Sequence, residues 1–335
     1  MSKNKRKYAI GIDVGGTKIL AALVDPQWRV ISEIKNKTKP EKGEQHFMGV
    51  LADSVKFLLR DGKVSRSEIA GIGVGCPGFI DGDRGVVVGS PNIPFLKSYP
   101  LARRLSREAG LPVVIGNDVQ TGLYGEHQCG AAKGYDHVVG IFMGTGIGGA
   151  MVLNGQIYRG ASGTAGEVGH VLFDPNGPFC GCGQRGCVEA YAGRLAIAAE
   201  AAIAVARQQA PHLAQKAGTD LRAIKSGALA KAIRAGDRAI AEIIKAKAQV
   251  VGVLMADLVN VLNPQMIVLG GGVVEAMPNL ILREAERVMR ARAIGNSSRR
   301  VKVVAAKLKD HSIVMGAAQR AHDRFVERRK EDRRA

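Results

Sequence analysis

The chain has 335 residues, of which 46% are hydrophobic, and its formal net charge is +18 at pH 7. This length exceeds what one hydrophobic core usually organises, so we expect two domains. The sequence contains neither an apolar run of about eighteen residues nor a secretory leader pattern, so we expect a cytoplasmic protein with no membrane partner.

The positive charge is densest near the two ends of the sequence, in residues 3–7 and 324–335. Patches of this kind are compatible with a nucleic acid or another polyanion as partner. Aromatic residues are not interleaved with these charges and no nucleic-acid-binding motif is present, so we interpret both patches as solvated ends and expect no nucleic-acid partner.

Predicted strands and helices alternate along the chain. Residues 8–14 predict a buried strand that enters a glycine-rich turn at residues 15–18, and residues 138–156 repeat this strand, turn and strand pattern. Residues 69–78 and 265–273 add one short β-branched run to each half. Helical patterns occupy residues 44–60, 98–109, 118–128, 188–209, 225–235, 237–262, 277–293 and 312–329. The sequence therefore predicts an internally duplicated α/β protein with mostly parallel or mixed sheets.

The first glycine turn, residues 15–18, predicts a phosphate-binding site. Glycine leaves backbone N–H groups free to approach a phosphate from close range. Asp13 ends the preceding strand, where it is suited to hold a metal ion through water. Thr17 offers a hydroxyl group and Lys18 a positive charge to phosphate oxygens.

The second glycine turn, residues 144–149, offers similar backbone and the hydroxyl group of Thr145. One such turn is equally compatible with an ordinary hairpin, but a pair of them favours phosphate binding. Neither turn matches the phosphate loop GxxxxGK[ST], and the second precedes a strand, which argues against a dinucleotide fingerprint. Gly271 and Gly272 follow a further strand and offer flat backbone to a base or ribose, an interpretation that the local sequence leaves open.

Four metal-ligating side chains lie within eighteen residues: His170, Cys180, Cys182 and Cys187. Three cysteines and one histidine form a complete tetrahedral set for a closed, structural zinc site. The alternative is a group of unrelated thiols near a histidine. A zinc loop would hold Glu167, His170 and Glu189 together, and polar side chains of this kind suit a polyhydroxylated ligand.

Asp118 is the candidate for acid–base chemistry. It follows the predicted strand 112–116 and begins a helical pattern, where an α/β sheet commonly presents functional groups. Phosphoryl transfer needs a carboxylate that accepts the proton of the attacking hydroxyl group. An aspartate here is also compatible with a helix cap, and Asn92 with an Asx turn. The neighbouring Asn117 favours a site.

These motifs together resemble the ROK family of sugar kinases, which includes bacterial glucokinases. The matching segments extend over nearly the whole chain: GIDVGGTK (11–18), PGFID (77–81), SPNIP (90–94), GND (116–118), the run from 138 to 170, CGCGQRGCVE (180–189) and LGGG (269–272). The resemblance implies a two-domain, actin-like ATPase fold of the ribonuclease H-like, hexokinase type, with ATP and sugar in an interdomain cleft. We expect a small domain of residues 1–118 plus the C-terminal helix at about 312–335. The large domain would be residues 119–311, with the zinc loop at 170–187.

The resemblance also implies roles for individual residues, with Asp118 as the general base. The sugar contacts would be Gly78, Asn92, Asn117, Asp118, Glu167, His170 and Glu189. The residues around ATP and Mg²⁺ would be Asp13, Gly15, Gly16, Thr17, Lys18, Gly144, Thr145, Gly146, Gly271 and Gly272. The structural zinc ligands would be His170, Cys180, Cys182 and Cys187. The family habit further implies a homodimer or homotetramer.

The resemblance predicts an ATP-dependent hexose kinase, with glucose as the expected substrate. N-acetylmannosamine, N-acetylglucosamine and fructose kinases carry nearly the same zinc loop, and a few pocket side chains separate their substrates. The high positive charge leaves open a polyphosphate donor, and a non-catalytic, sugar-sensing regulator is the alternative from another class. Some family members are repressors with an N-terminal helix-turn-helix domain, for which we expect no room because the first glycine turn begins at Gly15.

Overall fold

The computed structural model describes residues 7–327, which form two compact units. Unit 1 comprises residues 7–134, Arg159–Thr164 and residues 310–327. Unit 2 comprises Tyr135–Tyr158 and Ala165–Lys309. Most of the two basic patches predicted from the sequence, residues 3–6 and 328–335, lies outside the described residues.

The described residues contain twelve strands and twelve α-helices. The strands are β1 (Tyr8–Val14), β2 (Lys18–Val24), β3 (Val30–Lys37), β4 (Ile69–Cys76), β5 (Phe79–Asp81), β6 (Val86–Gly89), β7 (Val113–Asn117), β8 (Val138–Met143), β9 (Ile147–Leu153), β10 (Gln156–Ile157), β11 (Met266–Gly270) and β12 (Lys302–Ala305). The helices are α1 (Gly43–Asp61), α2 (Leu101–Ala109), α3 (Asp118–Cys129), α4 (Val188–Ala192), α5 (Arg194–Ala206), α6 (Pro211–Ala217), α7 (Ser226–Ala235), α8 (Arg238–Leu262), α9 (Gly272–Ala276), α10 (Pro278–Arg292), α11 (Gly295–Arg300) and α12 (Ser312–His322). The α/β class predicted from the sequence is confirmed.

Each unit contains one five-stranded mixed sheet. In unit 1 the strand order is β3-β2-β1-β4-β7, with antiparallel pairing from β3 to β1 and parallel pairing from β1 to β7. In unit 2 the order β10-β9-β8-β11-β12 repeats this pairing strand for strand. A glycine turn joins β1 to β2 in the first sheet and β8 to β9 in the second, so the predicted internal duplication is confirmed.

The central strands are apolar along their whole length because helices cover the sheets. All residues of β4 and of β11 are buried, as expected for parallel strands with both faces covered. In unit 1, apolar side chains of α1 such as Phe47 and Leu51 belong to the core cluster on the sheet. In unit 2, the long helix α8 contributes Val251 and Met255 to the corresponding core.

Glycine residues allow α12 to pack unusually close to the sheet of unit 1. A Cβ atom on Gly11 of β1 or on Gly73 of β4 would overlap the backbone oxygens of Val314 and Ala317, respectively. A Cβ atom on Gly125 of α3 would likewise overlap the backbone of α12. Larger residues therefore do not fit at these three positions. The close packing fixes α12 against β1 and β4, and α3 against α12.

Some boundaries differ from the sequence-based expectations. The helix predicted at 188–209 is wrong as one element, because the extended residue Gly193 separates α4 from α5. The helix predicted to run to 329 ends at His322 and continues as a π-helical turn. The first domain was expected to end at Asp118, but the units divide after Gly134 because α3 packs along α12.

Candidate active site

Asp118 is the first residue of α3, directly after β7. Asn117 has extended backbone, and its Oδ1 accepts a hydrogen bond from the backbone N–H of Gln120 at 3.1 Å, so Asn117 is the N-cap of α3. Oδ1 of Asp118 accepts a hydrogen bond from the backbone N–H of Val119 at 2.9 Å. The capping role that the sequence left open for Asp118 is therefore filled by Asn117. The positive end of the helix stabilises the Asp118 carboxylate.

Asn117 also connects α3 to Gly78. Its Nδ2 donates a hydrogen bond to the backbone oxygen of Gly78 at 3.2 Å. Gly78 has a φ of +107°, and a Cβ atom there would overlap the backbone oxygen of Gly89, so only glycine fits. The structure thus brings together two residues expected to contact the sugar, and it gives Asn117 a positioning role that the sequence did not reveal.

The first glycine turn is closed by a hydrogen bond from the backbone N–H of Gly15 to the backbone oxygen of Lys18 at 2.8 Å. Thr38 Oγ1 donates a second hydrogen bond to the backbone oxygen of Gly15 at 2.6 Å. A Cβ atom on Gly16 would lie 3.0 Å from Cβ of Asn92, so the SPNIP loop packs directly against this turn. Asn92 and Thr17 are both exposed beside it.

Lys18 is paired with a carboxylate that the sequence analysis missed. Its Nζ lies 3.1 Å from Oδ1 of Asp310, and Nζ of Lys35 lies 3.7 Å from the other oxygen of the same carboxylate. Burial tends to raise the pKa of Asp310, but the hydrogen bond and charge of Lys18 outweigh it and the net pKa is lowered. Asp310 lies 292 residues from Lys18 in the chain, so no local pattern identifies it.

Asp13 is buried at the end of β1, with 8% of its surface exposed. Burial, and next the negative charge of Asp118, raise the pKa of Asp13 to about 7, while Lys18 opposes the shift. The negative charges of Asp118 and Asp310 therefore both oppose ionisation of Asp13. Carboxylate oxygens are the ligands that Mg²⁺ prefers, so the chemistry of the buried Asp13 carboxyl group fits a magnesium ion bound with a nucleotide.

In unit 2, the second glycine turn rests on Glu189 of α4. Oε2 of Glu189 accepts a hydrogen bond from the backbone N–H of Ile147 at 2.8 Å, and a Cβ atom on Gly146 would overlap the same oxygen. Thr145 Oγ1 accepts a hydrogen bond from Nη2 of Arg194 at 3.2 Å. Glu189, which was expected to contact the sugar, therefore also supports the turn, and it explains why residue 146 is glycine.

The LGGG segment lies beside the second glycine turn. Gly271 has a φ of +85°, and a Cβ atom there would lie 2.6 Å from the backbone oxygen of Met143, the last residue of β8. Gly144, the next residue, would meet no atom within 4 Å if it carried a Cβ atom. Gly272 begins α9, where the nearest atom to a Cβ would be Ser226 Oγ at 3.8 Å. Gly144 and Gly272 thus adjoin open space, while Gly271 braces the turn.

The ligand atoms of His170, Cys180, Cys182 and Cys187 all lie within 4.8 Å of one another. Nδ1 of His170 is 3.6 Å from Sγ of Cys180, and the sulfurs of Cys182 and Cys187 are 3.7 Å apart. A tetrahedral zinc ion, with Zn–S bonds of about 2.3 Å, separates its sulfur ligands by about 3.8 Å. The described cysteines are free of disulfide bonds. Donor set and spacing therefore fit a structural zinc ion.

This Cys₃His cluster is connected to the second glycine turn. Sγ of Cys180 lies 3.6 Å from Oε1 of Glu189, whose other oxygen binds the turn. Cys187 is the residue immediately before α4. Glu167 is exposed immediately before the 3-10 turn Val168–His170. The structure thus connects the cluster with Glu189 and the turn, and Glu167 lies directly before the 3-10 turn that carries His170.

A model of the ROK family matches residues 9–324. The chain belongs to the ROK family. A glucokinase of Thermotoga maritima is 31% identical over 319 residues, which cover 94% of this chain and 98% of that protein. A putative xylose repressor of Caldicellulosiruptor is 31% identical over 311 residues, with 92% of this chain and 76% of that protein covered.

A crystal structure of a ROK family glucokinase from Streptomyces griseus, in complex with glucose and AMPPNP, is similar to this chain. The TM-score is 0.83 at 31% identity, covering 94% of this chain and 99% of that chain. The actin-like ATPase fold expected for a ROK protein is confirmed, and these comparisons support a phosphotransferase that acts on a sugar. Within residues 7–327, no helix is both long and apolar enough to span a membrane.

Proposed function

We propose that this ROK protein is an ATP-dependent glucokinase, which transfers the terminal phosphoryl group of ATP to glucose and releases ADP and glucose 6-phosphate. One observation carries the proposal: Asp118 is not the cap of α3, and its carboxylate lies close enough to Asp13 to raise the pKa of that residue. A carboxylate without a capping role, at the end of a parallel strand and near a second acid, suits a general base.

In the proposed reaction, Asp118 accepts the proton of the attacking sugar hydroxyl group. The positive end of the α3 dipole favours negative charge at this position. Asn117 holds the start of α3 and the backbone of Gly78 in a fixed relation, so these residues and Asn92 are proposed to orient the sugar in unit 1. Positioning of this kind supplies much of the catalysis in phosphoryl transfer.

The first glycine turn is proposed to bind ATP phosphates through its backbone N–H groups, with Thr17 and Lys18 as side-chain donors. Magnesium, when bound with ATP near Asp13, neutralises phosphate charge. Asp310 holds Lys18 at 3.1 Å and so aims its ammonium group. The second glycine turn, residues 144–146, together with Gly271 and Gly272, is proposed to take part in nucleotide binding in unit 2.

Glu167, His170 and Glu189 are proposed as the sugar contacts of unit 2. Zinc, when bound to the Cys₃His cluster, cross-links residues that are up to 17 positions apart in the sequence and takes no part in the chemistry. Cytoplasmic location and assembly as a homodimer or homotetramer stay predictions.

The proposal is tested by measuring ADP release from magnesium ATP by the zinc-loaded protein. Glucose, N-acetylmannosamine, N-acetylglucosamine and fructose are compared with a reaction that contains no sugar. We expect glucose to give the highest kcat/KM, with a low rate when no sugar is present. A second series replaces ATP with polyphosphate at the same glucose concentration.

Other outcomes separate the alternatives. A higher kcat/KM for another sugar contradicts the choice of glucose but retains the kinase, and a preference for polyphosphate contradicts ATP as the donor. If no sugar raises the rate with either donor, the kinase proposal fails and a sugar-sensing regulator takes its place. DNA binding at low salt, with sugar affinity measured by calorimetry, then tests that regulator.

A further inference from the structure

A pocket of about 530 Å³ opens in unit 1 beside Asn117. Its walls are the β5–β6 hairpin, the end of β7 and the segment Arg159–Thr164. Nε2 of Gln120 donates a hydrogen bond to the backbone oxygen of Gly163 at 3.1 Å and so anchors this segment to α3. Neither glycine turn lines the pocket, so the phosphate-binding sites proposed above do not account for it, whereas Asn117, proposed above to orient the sugar, is one of its lining residues.

Arg320 of α12 lines this pocket and contacts β7. A Cβ atom on Gly116 would overlap the guanidinium group, so the glycine leaves the path open. Nη1 of Arg320 donates a hydrogen bond to Thr121 Oγ1 at 3.2 Å, and Nη2 donates to the backbone oxygen of Ile115 at 3.3 Å. The guanidinium group is therefore held in one orientation before any ligand binds.

A second guanidinium group, that of Arg159, faces the same space. A Cβ atom on Gly82 would lie 3.8 Å from Nη1 of Arg159 and also 3.8 Å from Nη2 of Arg320. The two cationic groups thus converge above a residue that has no side chain. Among the described residues, neither arginine has a carboxylate oxygen within 4.0 Å.

The pocket carries acidic as well as basic side chains, and Asp83 is close enough to Arg320 for its negative charge to act on the guanidinium group. Burial, and next the positive charge of Arg159, lower the pKa of Arg320 to about 10, so the two guanidinium groups repel each other in the absence of an anion. Asp81 and Asp83 also line the pocket. Asp81 accepts a hydrogen bond from the backbone N–H of Arg84 at 3.0 Å, and Asp83 is exposed.

Hydroxyl groups complete the lining. Ser162 Oγ and Thr164 Oγ1 lie 2.8 Å apart in the segment that follows Arg159. Two arginine forks suit the oxygens of a phosphate group, whereas carboxylates and hydroxyls suit the hydroxyl groups of a sugar. A ligand that carries both kinds of group matches this pocket better than a free anion does.

We propose that this pocket binds a sugar phosphate, with its phosphate group between Arg159 and Arg320 and its hydroxyl groups toward Asp81 and Ser162. The phosphate part of the proposal stands on the arginine pair alone. The sugar part rests on the proposed function, whose product belongs to this chemical class. A phosphate bound here removes the repulsion between the two guanidinium groups.

Hydrogen exchange of residues 159–164 tests the proposal, with glucose 6-phosphate as the probe. We expect the ligand to slow exchange of this segment in the wild-type protein. Arg159→Gln removes one charge-assisted contact and should weaken the apparent affinity by at least about tenfold. Arg222→Gln is the matched control, because that side chain is 95% exposed in unit 2, and it should bind as the wild type does.

Gly82→Ala tests the geometry without a change of charge. Gly82 does not have a positive φ, and the added methyl group would lie 3.2 Å from the backbone oxygen of Ile115, so the backbone tolerates it with a small shift. The methyl group narrows the space between the two guanidinium groups, and we expect weaker protection of residues 159–164. Thermal melts confirm that both variants are folded.

Either of two results overturns the proposal: no protection of residues 159–164 at any glucose 6-phosphate concentration, or equal protection in wild type and Arg159→Gln. The kinase assay distinguishes failure of the sugar-phosphate pocket from failure of the proposed kinase function. An active kinase without Arg159-dependent protection refutes the pocket alone. Arg159-dependent protection in a protein that phosphorylates no sugar supports the phosphate site and refutes the kinase.

Discussion

The two glycine turns occupy equivalent positions in sheets of the same topology, yet their surroundings differ in charge. The first turn follows the buried carboxylate Asp13 and ends at Lys18, which pairs with Asp310. The second turn is held by Glu189, whose carboxylate is hydrogen-bonded to the turn backbone. Charged side chains without full compensation thus surround the first turn, whereas a hydrogen bond to Glu189 supports the backbone of the second turn.

In a duplicated fold, the two equivalent turns can serve different purposes: one binds ligands through charge, and the other holds backbone N–H groups in position. Unbalanced buried charge lowers stability and provides binding energy for a cation or a phosphate. A braced turn keeps its N–H groups in place at little cost in stability. Substitutions near the first turn should therefore change chemistry and electrostatics, and substitutions near the second should change stability and shape.

The largest effect is expected for Asp118→Asn in unit 1. Loss of the general base should lower kcat by about 10²–10⁴-fold, while the amide leaves the fold and sugar affinity nearly unchanged. Steady-state kinetics and calorimetry with glucose measure the two quantities. Asp53→Asn on α1, where the side chain is 74% exposed, serves as the control and should retain full activity. A kcat close to that of the wild type would remove Asp118 from the mechanism.

The next largest effect is expected for Cys182→Ser in unit 2. Removal of one ligand should abolish stoichiometric zinc and lower Tm by roughly 5–10 °C, because metal binding contributes directly to folding stability. Elemental analysis and calorimetry measure both. Cys129→Ser on α3 is the matched control and should leave zinc content unchanged. Full zinc occupancy in the Cys182 variant would contradict the ligand set.

A smaller effect is expected for Asp13→Asn, which should change how the free energy of unfolding depends on pH. The pKa of Asp13 is about 7 in the folded chain against a reference value of 3.8. Between these values the folded state keeps a proton that the unfolded state releases, so this residue makes stability fall as pH rises, with no further loss above pH 7.

The Asp13→Asn variant has no carboxyl group at this position and so does not lose stability through it as pH rises. Relative to wild type in magnesium-free buffer, Asp13→Asn should gain about 3 kcal/mol of unfolding free energy between pH 5 and pH 8. Urea denaturation at the two pH values measures it. Identical pH dependence in both proteins would show that the Asp13 carboxylate is not destabilised by its surroundings.

The smallest effect is expected for a pair of alanine substitutions in the second turn. Gly146→Ala places a methyl group against Oε2 of Glu189 and should cost about 1–3 kcal/mol of stability. Gly144→Ala meets no atom within 4 Å and should keep the Tm of the wild type while it raises KM for ATP. Equal stability of the two variants would contradict the bracing role of Glu189.

The duplicated fold and the Cys₃His donor set could be predicted from local sequence patterns. The repeated strand, turn and strand pattern predicted the duplication because alternation of apolar runs with glycine turns is a local property. The cysteine and histidine spacing predicted a compact donor set for the same reason, and the structure brings those four ligand atoms within 4.8 Å. The helix at 188–209 was predicted wrongly, because periodicity does not register a single extended residue such as Gly193.

Other features depend on residues far apart in the chain. Asp310 reaches Lys18 across 292 positions, and Arg320 reaches Ile115 and Thr121 across about two hundred, so no motif links them. The N-cap of α3 is Asn117 and not Asp118 because of the local backbone geometry, which the sequence does not show since both residue types are good caps.

The sequence by itself determined the family, the duplicated α/β architecture and the identities of the residues proposed to act, because these follow from motifs and periodicity. Only the tertiary structure decided which carboxylates are buried, which hydrogen bonds occupy Asn117 and Glu189, and where two arginines converge. Burial and charge proximity arise when distant segments pack together, and they set the pKa of Asp13 and the pocket beside Asn117.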